Sequence, residues 1–246
     1  MGKDELGEAL ERLAISNREL EQFAYVASHD LKEPARMVSS YCALIREEYG
    51  DRLDDQGRVY LDFAIDGANR MLQLIDGLLT LSRTGREVCF EEVSVAAALW
   101  HALEHLKLYI EENGVVVTHD HELPVVHADH MMLVRLFINL VGNAIKFRAT
   151  DRQPEVHIGY EDLGDRWRVV VRDNGLGFDM KHAQRIFLLF QRLGSRKNGT
   201  GIGLSVCQKI VERLGGEIWA ESVPGTGSAF FFILDKDGID EASPAH

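Results

Sequence analysis

The sequence predicts an all-α helical hairpin that pairs with a second copy into a dimeric four-helix bundle, followed by an α+β domain built as an α/β sandwich. Three observations predict it. A coiled-coil seam opens the chain, a second apolar stripe of the same period follows a turn, and beyond about residue 90 the pattern changes to short strands alternating with helices. With 246 residues, 46% of them hydrophobic, the chain has ample apolar material for one or two packed domains.

The seam runs through Leu6, Leu10, Leu13, Leu20, Ala24, Ala27 and Leu31 in alternating steps of four and three, with Asn17 filling the missing step. A lone Asn on such a seam fixes register and a two-stranded state at some cost in stability. The helix is expected to continue past Pro34 through Ile45, and residues 49–57, rich in Gly and Asp, read as a turn. Leu61, Ile65, Ala68, Leu72, Ile75 and Leu79 repeat the same steps, so residues 58–83 form a second amphipathic helix. Two such helices are too thin to bury both stripes, and a homodimer is the economical solution. Residues 1–83 are therefore read as the coiled coil and helical hairpin, 84–89 as a polar linker, 90–235 as the second domain and 236–246 as a tail.

In the second domain, helices are expected near 94–112, 130–147, 180–189 and 202–214. Strands are expected at 115–118, 156–160, 167–172, 217–221 and 229–234, the last two joined by a turn at Pro224-Gly225-Thr226-Gly227. Consecutive strands without intervening helices predict a mixed or antiparallel sheet with helices on one face.

Composition excludes several functions. A formal net charge of -12 argues against a nucleic-acid partner, which needs clustered Lys and Arg. Cys42, Cys89 and Cys207 are odd in number, far apart and in no metal-ligand spacing, as in a reduced cytoplasmic protein. No apolar run reaches the roughly 20 residues that span a bilayer, and Met1 to Glu8 is too charged for a signal peptide.

In the first helix stands Ser28-His29-Asp30-Leu31-Lys32-Glu33-Pro34. If Ala27 and Leu31 lie on the seam, His29 projects from the bundle, as a nucleophile must. Asp30 is placed to hold or remove the ring proton as positive charge develops on the imidazole. A His-Asp pair on a helix is equally the mark of a solvated polar face.

Three further segments suit a nucleotide. On the helix around 139–148, Asn139, Asn143 and Lys146 share one face; an amide oxygen is a hard ligand for Mg²⁺, and a lysine neutralises phosphate. Asp173-Asn174-Gly175-Leu176-Gly177 follows a strand, where a carboxylate accepts a hydrogen bond from the amine of adenine. Gly175 and Gly177 permit close backbone approach, although a tight turn without a ligand wants the same residues. Gly199-Thr200-Gly201-Ile202-Gly203-Leu204 enters a helix and exposes backbone N–H groups to an anion, without the spacing of a P-loop or a dinucleotide fingerprint. Between them, residues 191–198 read as a lid, with Arg192, Arg196 and Lys197 as candidate phosphate contacts, or as an ordinary exposed loop.

In this order the motifs strongly resemble the sensor histidine kinases of two-component signalling, over nearly the whole chain. Residues 29–34 resemble the family's H box, 139–147 its N box, 173–177 and 199–204 its two glycine boxes, and 186–190 its F box. The wording of the H box and of residues 190–222 is similar to kinases that sit behind phytochrome and PAS-type sensors. The resemblance implies a Bergerat-type ATP-binding domain behind a dimerisation and histidine-phosphotransfer hairpin. It implies autophosphorylation of His29 from ATP, with Mg²⁺ held by Asn143, and transfer to an aspartate of a response-regulator receiver domain, under an upstream sensor domain or protein. Two departures matter. Glu33 stands where many members carry the Thr or Asn linked to phosphatase activity. Asn139 stands where related ATPases carry a glutamate that activates water, which favours transfer over hydrolysis.

Rival readings are a nucleotide-responsive, non-catalytic dimeric scaffold, an ATPase of the same fold, and a zinc site among His101, His105, His119, His121, His127 and His130, which lack a recognised ligand spacing. With no receiver domain in the sequence, the acceptor aspartate is expected on another chain. The abrupt start of the coiled coil suits a piece of a longer chain or a small kinase regulated by a partner.

Overall fold

The computed structural model describes residues 3–82, 89–191 and 201–236; within the first two helices many side chains, that of His29 among them, lie outside the description. The chain divides into two compact units, 1–87 and 88–246.

The first unit is a helical hairpin. Helix α1 (Lys3–Tyr49) contains Pro34, a 3₁₀ turn (Gly50–Arg52) follows, and α2 (Asp55–Ser82) returns along it. Asp54 stops the turn and starts α2, its carboxylate accepting the N–H of Gly57 at 2.7 Å. Of the stripe expected on α2, Ile65, Ala68 and Ile75 are buried and Leu61 and Leu72 half-buried, while the side chain of Leu79 lies outside the described residues. On α1 the face packed inward carries Ser28 and Ala35, whereas Leu31, assigned to the seam, is 57% exposed in the single chain. Ser39 donates to Asn69 Oδ1 at 2.8 Å and Arg46 pairs with Asp62 at 3.3 Å, tying the two helices by weak, solvated contacts.

The second unit is an α/β layer structure. Strands β1 (Glu91–Ser94) and β3 (Val125–Ala128) form a small antiparallel pair. Strands β2 (Val116–His119), β4 (Glu155–Asp162), β5 (Arg166–Asp173), β6 (Ile218–Val223) and β7 (Gly227–Asp235) make a mixed sheet in the order β2-β4-β5-β7-β6. Only the β2-β4 pairing is parallel. Helices α3 (Val95–Glu112), α4 (His130–Lys146) and α5 (Gly203–Arg213) complete it, with α4 between the other two.

Local chemistry explains the ends. Ser94 caps α3 through the N–H of Ala97 and Asp129 caps α4 through that of Met132, each a contribution of about 1 kcal/mol. Helix α5 stops at Gly215, whose φ of +76° lets the N–H of Gly216 return to the carbonyl of Val211. The stripe Leu133, Leu136, Phe137, Leu140, Ala144 on α4 is buried, and Phe137 meets Phe232 of β7 edge-on with ring centroids 6.0 Å apart.

Two expectations are corrected. Residues 180–189 form two 3₁₀ turns (Met180–His182 and Arg185–Phe187), not a helix. Burial of Ile186 and Phe187 is achieved in a single turn, after which Leu188 is extended and Phe190 has a φ of 61°, neither compatible with a continuing helix. The pair β1-β3 was not foreseen, because four-residue strands with one or two buried side chains carry too little periodicity. Among the described residues no helix is long and apolar enough to cross a membrane.

Candidate functional site

The buried stripe of α4 fixes its opposite face, which carries Asn139, Asn143 and Lys146, all half-buried. Asn139 donates through Nδ2 to the carbonyl of Arg135 at 2.8 Å, which pins the amide. Its Oδ1 faces α5: a Cβ added to Gly203 would lie 3.0 Å from that oxygen and 3.9 Å from Asn143 Nδ2. The first residue of α5 is thus seated against both asparagines. Lys146 Nζ stands 4.8 Å from the ring centroid of Phe147, a cation-π contact that holds the ammonium at the end of the same helix.

Asp173 ends β5. Its Oδ1 accepts the backbone N–H of Gly175 at 2.8 Å and that of Ser228, its partner across β7, at 3.3 Å. Neither bond uses Oδ2. Burial pushes the carboxyl above the usual carboxylate range, and the two N–H groups pull it partly back. Asn174 is structural, accepting the N–H of Glu155 and donating to the carbonyl of Gln153.

The glycines have a reason in the chain itself. A Cβ on Gly175 would stand 2.6 Å from the carbonyl oxygen of Phe147, and one on Gly177, with φ +60°, 2.1 Å from that of Val223. Leu176 donates its N–H to Phe147 at 2.9 Å, so the turn after Asp173 is latched to the end of α4. Gly201 has φ +74° and lies against the backbone of Phe190 and Gln191. Ile202 is the N-cap residue of α5 and has no side-chain oxygen to offer the first-turn N–H groups; its side chain is buried, and Leu204 is half-buried. An uncapped helix start with glycine at its first position attracts an anion.

The structure thus brings Asn139, Asn143, Gly203 and the Asp173 turn together around the C-terminal half of α4. Arg192, Arg196, Lys197, Gly199 and Thr200 lie outside the described residues. His29 is described as backbone within α1, between buried Ser28 and exposed Asp30. Sequence reasoning missed Ser228, whose approach to Asp173 follows only from the β5-β7 register. It also missed Ser222, whose hydroxyl accepts the N–H of Phe178 and donates to the carbonyl of Gly227. Of the histidines, His101 Nδ1 and His130 Nε2 are 3.0 Å apart, and His127 stacks on Phe90. No group of three or more His, Cys, Asp or Glu converges on a metal position among the described residues.

Two family models match parts of the chain. Residues 19–87 match the His Kinase A (phospho-acceptor) domain, and residues 128–238 match the histidine kinase-, DNA gyrase B- and HSP90-like ATPase. The chain belongs to the histidine kinases. Cyanobacterial phytochrome A of Nostoc sp. (strain PCC 7120) is 44% identical over 238 residues, covering 96% of this chain and 31% of that protein. The phytochrome-like protein Cph1 of Synechocystis sp. (strain PCC 6803) is 40% identical, covering 94% and 31%. The chain therefore spans about a third of the length of these relatives. Among solved structures, the catalytic domain of the histidine kinase ThkA is 29% identical with a TM-score of 0.52, covering 60% of this chain and 97% of that one. The complex of ThkA with the response regulator TrrA is 24% identical, with a TM-score of 0.61 over 95% of this chain and 65% of that one, and shows the fold.

Proposed function

We propose that this chain is the kinase core of a two-component sensor. It transfers the γ-phosphoryl group of ATP to His29, and the group then passes to an aspartate of a response-regulator receiver domain. The observation that carries the nucleotide half is the seating of Gly203, at an uncapped helix start, against Asn139 and Asn143. That arrangement sets anion-attracting N–H groups beside the amide oxygen of Asn139 and the side-chain amide of Asn143.

Asp173 Oδ2 accepts a hydrogen bond from the exocyclic amine of adenine. Its raised pKa does not remove the role, since a carboxylate with two backbone donors on its other oxygen keeps one acceptor free for the base. The residues suit Mg²⁺: Asn143 would hold it, and when bound it would neutralise phosphate charge. Lys146, Arg192 and the backbone from Gly199 to Leu204 hold the phosphate oxygens. A ring nitrogen of His29 then attacks the γ-phosphorus, the bond to the ADP oxygen breaks, and Asp30 receives or orients the proton leaving the other ring nitrogen. Asn139 has no basic group with which to activate water, which favours transfer over hydrolysis.

The hairpin supports a homodimer. Leu31, Met37, Tyr41, Tyr60 and Phe63 are all more than half exposed in the single chain, leaving apolar surface that a second copy would cover. The family resemblance supports the receiver domain as acceptor, and relatives longer than this chain leave room for a sensor outside it. To test the transfer, the chain is incubated with γ-labelled ATP, freed of nucleotide, and mixed with a candidate receiver domain. The label should move to the receiver without further ATP. Label that stays on the chain with every receiver offered, or that is released only as free phosphate, would overturn the transfer reading.

A further inference from the structure

Outside the motifs of the nucleotide site, two histidines meet across a helix pair. His101 is the seventh residue of α3 and His130 is the first residue of α4; their Nδ1 and Nε2 atoms are 3.0 Å apart. The rings are perpendicular, with centroids 5.0 Å apart and an interplanar angle of 89°. Trp100, 59% exposed, stands edge-on to His101 with ring centroids 5.0 Å apart. Both backbones are rigidly held, one by α3 packed on α4 and the other by the Asp129 cap that starts α4.

Two imidazole nitrogens at this separation have two uses. In the absence of a cation, one carries a proton and donates it to the other. Alternatively both present lone pairs to one ion. Metal-imidazole bonds of about 2.1 Å at a right angle place their nitrogens about 3.0 Å apart, the edge of a square plane or an octahedron. That geometry, with neutral nitrogen donors, suits Cu²⁺ or Ni²⁺ better than the hard ions Mg²⁺ and Ca²⁺. The strongly acidic chain, with a net charge of -12, adds a favourable field for any cation.

We infer that His101 and His130 form a two-ligand chelate for a borderline divalent transition-metal ion on the outer surface of the ATPase-like unit, completed by water. The ion takes the place of the hydrogen bond between the two rings: the ring that donated it moves that proton to its own outward nitrogen, and the ring that accepted it already carries N–H there. It clamps α3 to the start of α4. Because His29 and the nucleotide residues take no part, the inference stands or falls apart from the kinase reading.

The test is a Cu²⁺ titration of the full chain followed by tryptophan fluorescence. Expected are saturable, one-to-one quenching that disappears in Trp100→Phe, and affinity weaker by at least tenfold in both His101→Gln and His130→Gln. Outer-shell partners alone are worth roughly 10- to 100-fold, so losing a ligand costs no less. His105→Gln should bind as the unaltered chain does. Equal weakening in His105→Gln with none in His130→Gln would place the ion on the α3 pair His101 and His105 and overturn the chelate. Quenching that never saturates, or that survives in Trp100→Phe, would also overturn it. Each variant's melting temperature in chelator checks that it is folded. As a readout needing no variant, ring ¹H–¹⁵N spectra of the unaltered chain should lose two of its ten histidines first; loss of any other pair contradicts the assignment.

Discussion

Gly203 faces Asn139 across the α4-α5 contact, so closely that a side chain at 203 would come within 3.0 Å of the amide oxygen. The start of α5 can therefore lie beside the polar face of α4 only if that position is glycine or Asn139 yields. Gly203→Ala should leave the melting temperature nearly unchanged. The helix gains up to about 1 kcal/mol from Ala, and the new methyl displaces a side-chain terminus by a few tenths of an ångström. Affinity for ATP should fall about tenfold, the loss of roughly one hydrogen bond to phosphate. Calorimetric titration with a non-hydrolysable ATP analogue beside a thermal melt separates the two effects.

Gly177 differs. Its φ of +60° and the 2.1 Å approach of a Cβ to the Val223 carbonyl leave no room for adjustment, because the obstacle is backbone. Gly177→Ala should cost more than about 2 kcal/mol and lower the melting temperature by roughly 4 to 8 °C or more. A melt within a degree of the unaltered chain would contradict that geometry.

Asp173→Asn isolates the base contact. The amide keeps Oδ1 as acceptor for Gly175 and Ser228, and an NH₂ replaces Oδ2. The fold should survive while ATP affinity falls by more than tenfold, since a donor now faces the donor of adenine. The pH dependence carries a sign. Burial raises the folded-state pKa above its unfolded value. In the window between the two, the folded chain binds more protons, so stability falls as pH rises through it and stays at the lower level above. The variant has no such group, so it should lose this local fall just above the unfolded carboxylate pKa in a series of denaturant melts.

These predictions mark what the sequence did and did not disclose. Helices α3, α4 and α5 and the long strands were legible because each buries a stripe or alternates cleanly. Residues 180–189 were misread because Ile186 and Phe187 bury themselves from a 3₁₀ turn, where tertiary packing overrides a helical-looking run. Asn139, Asn143, Asp173 and Gly203 could be named from motif order. The service of Ser228 to Asp173 could not, because the two lie 55 residues apart and only the sheet register pairs them. The glycines after Asp173 suit both ligand approach and turn chemistry, and their contacts with Phe147 and Val223 show that the turn alone already requires them. On α1, the side chains of the expected seam other than Leu31 lie outside the described residues, and heptad counting does not separate the face toward α2, with Ser28 and Ala35, from the face holding Leu31.

That exposed face makes a further prediction. The chain, of 27.7 kDa, should sediment with twice that mass at micromolar concentration, and Leu31→Lys should raise the dimer dissociation constant at least tenfold. A monomer throughout would remove the dimer from the account.

The most direct measurement is incubation with γ-labelled ATP and Mg²⁺, followed by acid and base treatment of the protein, for the unaltered chain and for His29→Gln. The account predicts label on the unaltered chain that survives base and is lost in acid, and no label on His29→Gln, although that variant binds nucleotide with unchanged affinity. Acid-labile label persisting on His29→Gln, or label on the unaltered chain that survives acid, would contradict it.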